Sequence, residues 1–317
     1  MHFYEPCPEE LFQAGGLEQW MNLVSSGNPL NSTSIDFGSC STKWSRNITC
    51  STLGLASLLS AIRILVAEAR GRLKSRADKH WTLIPGEAYL EDSSTSHIAP
   101  LLMEIYTSSR DGLLRANPHC KALWHNLCMN LTADLTAFEL AAGRHGPQRG
   151  RAALADLTVW SQTSAARRCV VHAAQVYLAM SERKPMDATL FMSEIAVFNA
   201  GIVLGIYFLV LTPASETQGH CRVQALELLQ HVDMSDIGTE GLAGHVSWQS
   251  EVLDCPVRRF IRQGGSLSFS GTVYHGGYYF ARKILVEYMM LLEEFPGSSA
   301  RQRCRLLQIL SDTIAAN

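Results

Sequence analysis

The stretch from Phe191 to Leu211 reads FMSEIAVFNAGIVLGIYFLVL, and how it is understood decides the fold. Its length is close to the roughly 20 apolar residues that cross a bilayer. Gly201 and Gly205 also repeat the small-residue spacing of packed membrane helices. Against spanning, Glu194 and Asn199 lie inside the stretch, and each is costly in hydrocarbon. No Lys or Arg follows it before Arg222, so it carries no orientation signal. The favoured reading is a helix that is apolar on every side because it lies inside a large helical core. The expected fold class is therefore all-α: an irregular multi-helix bundle with a central buried apolar helix.

The sequence on either side supplies helices to wrap it. Residues 151–180 form the clearest amphipathic run, with Ala166, Cys169, Val170, Ala173, Val176, Tyr177 and Met180 on one side and Arg167, Arg168 and Gln175 opposite. Further upstream, residues 119–142 place Leu123, Leu127, Leu131, Leu135 and Phe138 on one face, and Asn117-Pro118 can start that helix. Pro100 to Arg115 is helical. So is the run from Ser51 through Leu55, Leu58, Leu59, Ile62, Leu65, Val66 and Ala69, whose basic tail reads as a solvated helix end. Downstream, Cys221 to His231, Phe280 to Phe295 and Ala300 to Ala316 are expected helices. Residues 232–252 and the Gly/Ser-rich 256–279 are expected loops, and Trp81 to Ser96 is irregular. Residues 1–50 are a loop-rich segment with one short helix over Gln13 to Val24. Residues 51–317 are the helical domain, with a sub-boundary at the Gly-, Pro- and Arg-containing 143–150. No fixed-period repeat and no run alternating at period two stands out.

Composition narrows the function classes. The chain has 317 residues, 47% hydrophobic and 18% charged, which is ample material for a core. Its 27 Lys and Arg nearly balance 29 Asp and Glu, which excludes a domain that holds nucleic acid by bulk positive charge. Nine cysteines at wide spacings, with no CxxC, read as scattered reduced thiols. The start MHFYEPCPEELF lacks the positive, apolar pattern of a signal peptide, so an intracellular setting is expected. The sequons at Asn31, Asn47 and Asn130 then read as chance matches.

Reactive constellations are weak. His119, Cys120, His125 and Cys128 occur as singles on a helix rather than as the close ligand pairs of a zinc site, so no metal is expected. Cys169 and His172 are three apart, but the thiol sits mid-face on the apolar side, where it reads as inert. The glycines from Gly264 to Gly277 lack the ending of a phosphate loop. The acid pairs Glu91-Asp92 and Glu293-Glu294 read as solvated surface. No catalytic residue and no cofactor is expected.

Two stretches together resemble a known family. Trp160-Ser-Gln-Thr-Ser-Ala-Ala-Arg167-Arg168, running into Val171-His172-Ala-Ala-Gln175-Val176, resembles a helix in the regulatory region of fungal-specific transcription factors. Phe260-Ile261, then Gly264-Gly-Ser-Leu-Ser-Phe-Ser-Gly271, Gly276-Gly277 and the helix to Glu294 resemble the glycine-rich SFSG loop near the end of the same proteins, especially those with paired Cys–His zinc fingers. The resemblance covers about 155–212 and 256–294. It implies an all-helical regulatory region without agreed catalytic activity, which senses signals and supports dimerisation. No zinc DNA-binding module is present in this sequence, so the resemblance implies no direct nucleic-acid binding by this chain.

The expected function is that of a transcription regulator of a fungal, secondary-metabolite type of gene set. It would sit in the nucleus, with the cytoplasm as alternative, and act by helical contacts with a full-length transcription factor or a second copy of itself. The alternative is a biosynthetic-pathway enzyme or a carrier of an apolar small molecule. Its pocket would be sought at His172, Glu194, Asn199 and Tyr207, the polar residues on core-like helices.

Overall fold

The structure, a computed structural model, describes residues 2–4, 9–27, 34–36, 52–76, 85, 89, 96–108, 113, 117–184, 187, 192–211, 225–242 and 255–315. The protein is mostly helical. The helices are α1 (Glu9–Phe12), α2 (Leu17–Ser25), α3 (Thr52–Arg76), α4 (Ile98–Ser108), α5 (Pro118–Thr132), α6 (Leu135–Ala141), α7 (Pro147–Ser161), α8 (Ser164–Ser181), α9 (Ser193–Val210), α10 (Met234–Ile237), α11 (Pro256–Gln263), α12 (Tyr278–Glu293) and α13 (Ser298–Ala315). A 3₁₀ turn spans Gly238–Gly241.

The apolar stretch becomes α9, the helix at the centre. It packs against α5, α6, α7, α8, α12 and α13. Among the described residues it is also the one helix long and apolar enough to cross a membrane by length and composition, and 67% of it is buried inside the protein. The two glycines explain how so much helix surrounds it. A Cβ on Gly201 would lie 2.9 Å from Tyr288 Cβ and 3.3 Å from Leu307 Cδ1, and one on Gly205 would lie 2.7 Å from Leu285 Cδ2. The small-residue spacing therefore lets α12 and α13 close onto α9. Each large apolar side chain sealed in this way contributes about 1.5–3 kcal/mol.

Local chemistry places the breaks between helices. The expected helix over 119–142 divides at Ala133-Asp134, because Asp134 caps α6 by accepting from Thr136 N at 3.2 Å and Thr136 Oγ1 at 2.6 Å. Its carboxylate also takes Lys74 Nζ at 2.8 Å and Arg70 Nη1 at 3.6 Å, so part of the basic tail of α3 is anchored rather than simply solvated. Burial alone would raise the Asp134 pKa, but these hydrogen bonds and cations outweigh it and hold the carboxyl below its usual value. The run 151–180 divides at Gln162-Thr163, where Thr163 Oγ1 accepts from Ala166 N at 3.1 Å and starts α8. Of the segment 143–150, residues 143–146 are a turn with Gly143 and Gly146 at positive φ, and Pro147 opens α7, which takes in the rest. α6 and α7 fold back onto each other across it, and one apolar core runs from Leu55 to Leu307.

Two small sheets accompany the helices. β1 (His2–Tyr4) pairs antiparallel with β2 (Ser34–Asp36). β3 (Leu226–Glu227) lies parallel to β4 (Leu267–Phe269), which forms a hairpin with β5 (Thr272–Tyr274). Here the structure departs from expectation. The described part of 221–231 is strand and turn rather than helix, and the Gly/Ser-rich 256–279 holds α11 and the hairpin. Tertiary pairing is the reason: Leu226 N donates to Ser266 O at 2.9 Å and Leu228 N to Ser268 O at 2.8 Å. The hairpin turn Ser270-Gly271 has φ of 52° and 73°, the doubly positive geometry that suits two-residue hairpins. The expectations for Trp81 to Ser96, Glu91-Asp92 and the sequons at Asn31 and Asn47 lie almost wholly outside the described residues. Asn130 is half-buried and donates from Nδ2 to Asn126 O at 2.7 Å.

Replacing Gly201 with valine should destabilise the protein by about 1–3 kcal/mol or more through overpacking. Gly71→Ala, at an exposed position of α3 where a Cβ meets nothing within 4 Å, should stabilise it by about 0.5–1 kcal/mol. Equilibrium urea unfolding of both variants measures the contrast.

Candidate functional site

Three buried polar residues of α8 form one set. Arg168, His172 and Gln175 are 5%, 0% and 3% exposed, follow one another at steps of four and three, and so share a face. A polar group at that depth needs a partner. Arg168 Nε donates to Glu240 O at 2.6 Å. Gln175 Nε2 donates to Gln230 O at 2.8 Å, and Gln175 Oε1 accepts from Val232 N at 3.2 Å. The half-buried Arg167 donates from Nε to Ile261 O at 2.8 Å and from Nη2 to Arg262 O at 3.2 Å, near the end of α11. This face of α8 therefore grips the backbone of two later segments, 225–242 and 256–263.

His172 sits at the centre of the face. Its Nε2 lies 3.0 Å from Gly241 O, and its Nδ1 lies 2.9 Å from Nδ1 of His125 on α5. A carbonyl can only accept, so Nε2 carries the proton. Neutral His172 then has only a lone pair at Nδ1, and His125 Nδ1–H must donate to it. Both rings are held neutral. Burial, opposed by the Gly241 hydrogen bond and reinforced by Arg168, lowers the His172 pKa to about 4. Burial and its cationic neighbours lower that of His125 well below 6.5. Protonating His172 would put a second N–H at this contact, so the pair would survive only with His125 moving its own proton from Nδ1 to Nε2.

The structure does not bring the other expected pocket residues to this point. Glu194 Oε1 accepts from Arg303 Nη1 at 2.8 Å, tying α9 to α13. Asn199 Nδ2 donates to Asn126 Oδ1 at 3.0 Å, tying α9 to α5. Tyr207 is 3% exposed and meets Phe208 edge-on at 5.7 Å, and burial pushes its pKa up to about 12. His172 and Asn199 both reach α5, at the neighbouring His125 and Asn126, Glu194 reaches α13, and Tyr207 meets Phe208 beside it; none of the four borders either cavity described below.

The remaining candidates also have structural surroundings. Cys169 and Cys128 are fully buried, and burial raises the Cys169 thiol to about 12, the reverse of an activated nucleophile. His172 faces His125 rather than Cys169. His119 Nδ1 lies 2.7 Å from Ser193 Oγ, at the start of α9. Among the described residues no group of three or more His, Cys, Asp or Glu is placed to hold a metal ion.

Two cavities lie nearby. One, bordered by Tyr106, Lys121, His125, Gln175, Glu182 and His231, holds about 20 Å³, room for a single water. The other is a groove of about 240 Å³ between β3 and α11, edged by Glu227, Gln230, Arg259, Phe260 and Ser266. Glu227 has no freedom to bind a ligand there. Its Oε1 accepts from Leu229 N at 3.1 Å and Ser270 N at 3.0 Å, and its Oε2 from Ser268 Oγ and Gly271 N, both at 2.9 Å. Sequence reading missed this residue, since an acid in an expected helix gave no sign that a distant hairpin turn would close on it. It also missed Glu240, whose carboxylate takes Arg262 Nε at 2.7 Å and Nη2 at 2.9 Å.

The two stretches that carry the family resemblance meet in space. Besides Arg167 on α11, Tyr288 OH on α12 donates to Ala173 O on α8 at 2.8 Å, and Tyr177 packs edge-on against Phe269 of the SFSG hairpin at 5.2 Å. The Gly276-Gly277 pair closes α9. Gly277 N donates to Phe208 O at 2.7 Å, and Gly276, at φ 82°, passes so near Leu211 that a Cβ would lie 2.3 Å from its carbonyl oxygen. Comparison with protein-family models, with curated proteins and with solved structures finds no match to this chain.

The buried histidines predict acid sensitivity with a defined sign. In the unfolded chain they take up protons near pH 6.5, while in the folded chain His172 and His119 resist to about pH 4. Stability present above pH 6.5 should therefore fall as pH drops toward 4, by up to about 1.4 kcal/mol per pH unit for each such ring. Thermal melts across that range test this, and a flat profile would contradict neutral burial.

Proposed function

We propose that this chain is the helical effector region of a fungal-type transcription regulator, acting in the nucleus through protein contacts rather than through bond chemistry. The observation that carries the reading is the use made of the resemblance residues. Arg167, Arg168, His172 and Gln175 bind the backbone of later segments, and Gly276-Gly277 caps α9. Residues of both resembling stretches thus build one scaffold. What such a scaffold offers a partner is its outer helical faces, where Val286, Met290, Leu306 and Ile309 are exposed.

The groove of about 240 Å³, edged by polar as well as apolar residues, favours a second reading, a carrier or enzyme for a small molecule. Drug-sized ligands occupy about 300–1,000 Å³, so the groove suits only a small one.

Fusing the chain to an unrelated DNA-binding domain tests the first reading. The fusion should change reporter transcription by several-fold, and the untagged chain should co-purify with a finger-containing regulator. Turnover of a biosynthetic intermediate by the purified protein, with no reporter effect, would overturn it in favour of the second.

A further inference from the structure

One helix has an apolar face that none of the described residues buries. In α2, Leu17, Trp20, Met21 and Val24 recur at the spacing of a single helical face. Yet no residue of α2 is buried, and Leu17, Trp20 and Met21 are 73%, 37% and 56% exposed. The surrounding sequence has one sign of charge. Residues 1–42 contain Glu5, Glu9, Glu10, Glu18 and Asp36, and the first Lys or Arg is Lys43.

A surface of opposite character lies at the other end of the chain. α12 and α13 pack side by side. Their outer faces expose Val286 (37%), Met290 (49%), Leu306 (49%) and Ile309 (53%). Arg282, Arg301 and Arg305 are exposed on the same two helices. None of the three has an ion-pair partner among the described residues. The exposed acids there, Glu293 and Asp312, hydrogen-bond to the neutral Cys304 Sγ and Gln308 Nε2 and keep their charge, but Arg282, Lys283, Arg301, Arg303 and Arg305 outnumber Glu287, Glu293 and Asp312 on the two helices.

We propose that the chain self-associates by seating α2 of one copy on the α12–α13 face of a second copy. Apolar side chains meet apolar side chains, and the acidic surroundings of α2 meet the three arginines. The exchange is reciprocal, so the assembly closes as a two-fold dimer. Charge decides among occupants: an anionic membrane repels a segment with five acids and no Lys or Arg. This inference stands whether or not the chain regulates transcription.

Sedimentation velocity of the full chain, from micromolar to submillimolar concentration, is the test. Wild type should dimerise, and less so at high salt. The double variant Leu17→Asp with Trp20→Asp should weaken association by about tenfold or more, as loss of an aromatic anchor does. Reversing Glu10 and Glu18 to arginine, or Arg301 and Arg305 to glutamate, should weaken it. Combining the two reversals should restore it. All these positions are exposed, so circular dichroism should show unchanged helicity. A monomer at every concentration, a dimer indifferent to these changes, or a monomer in which Trp20 is shielded within its own chain would overturn the proposal.

Discussion

Arg167, Arg168, His172 and Gln175 project from one helix, and each holds main-chain atoms of a segment more than fifty residues later. The constraint behind this is elementary. A guanidinium, an imidazole or an amide taken out of water must have its hydrogen bonds remade, and leaving one unmade costs about 1–3 kcal/mol. α8 meets that requirement with carbonyls and an amide of 225–242 and with the end of α11. The polar face therefore works like a row of clips that fixes where the non-helical parts of the chain lie. Removing one clip leaves orphaned groups on both sides, which makes the arrangement specific as well as stable.

The apolar half of the fold is held by shape. α9 has almost no polar surface with which to orient itself, and its position is set by where neighbours can approach. Gly201 and Gly205 create a close approach along α9, filled by Tyr288, Leu285 and Leu307. Tyr288 then links the two systems. Its ring packs at the glycine contact while its hydroxyl donates to Ala173 O on α8. The glycine crossing of α9 with α12 and the polar face of α8 are thus joined through Tyr288. The polar residues inside α9 are used likewise, Glu194 with Arg303 and Asn199 with Asn126.

The helical class and the burial of 191–211 were legible because periodicity and composition are local properties. Asn117-Pro118 also marked a helix start that the structure uses, whereas the starts at Pro147 and after Thr163 were not read from the sequence. The strand at Leu226–Glu227 was not legible, since it exists only through a partner forty residues away. The four pocket candidates are buried or half-buried polar residues, each with its own surroundings in the bundle. Helical spacing says which side of its own helix a residue occupies, but nothing about which neighbouring helix faces it. The partners Gly241 O, Arg303 and Asn126 carry no sequence signal of their pairing.

The central claim is that the polar face of α8 fixes the fold of 225–242 rather than performing chemistry. Hydrogen exchange of the Gln175→Ala variant tests it most directly, because Gln175 Oε1 accepts from Val232 N. The account predicts that amides across 225–242 lose protection while those of α9 and α12 keep theirs. Unchanged protection of Val232 and its neighbours, in a variant that otherwise folds normally, would contradict it.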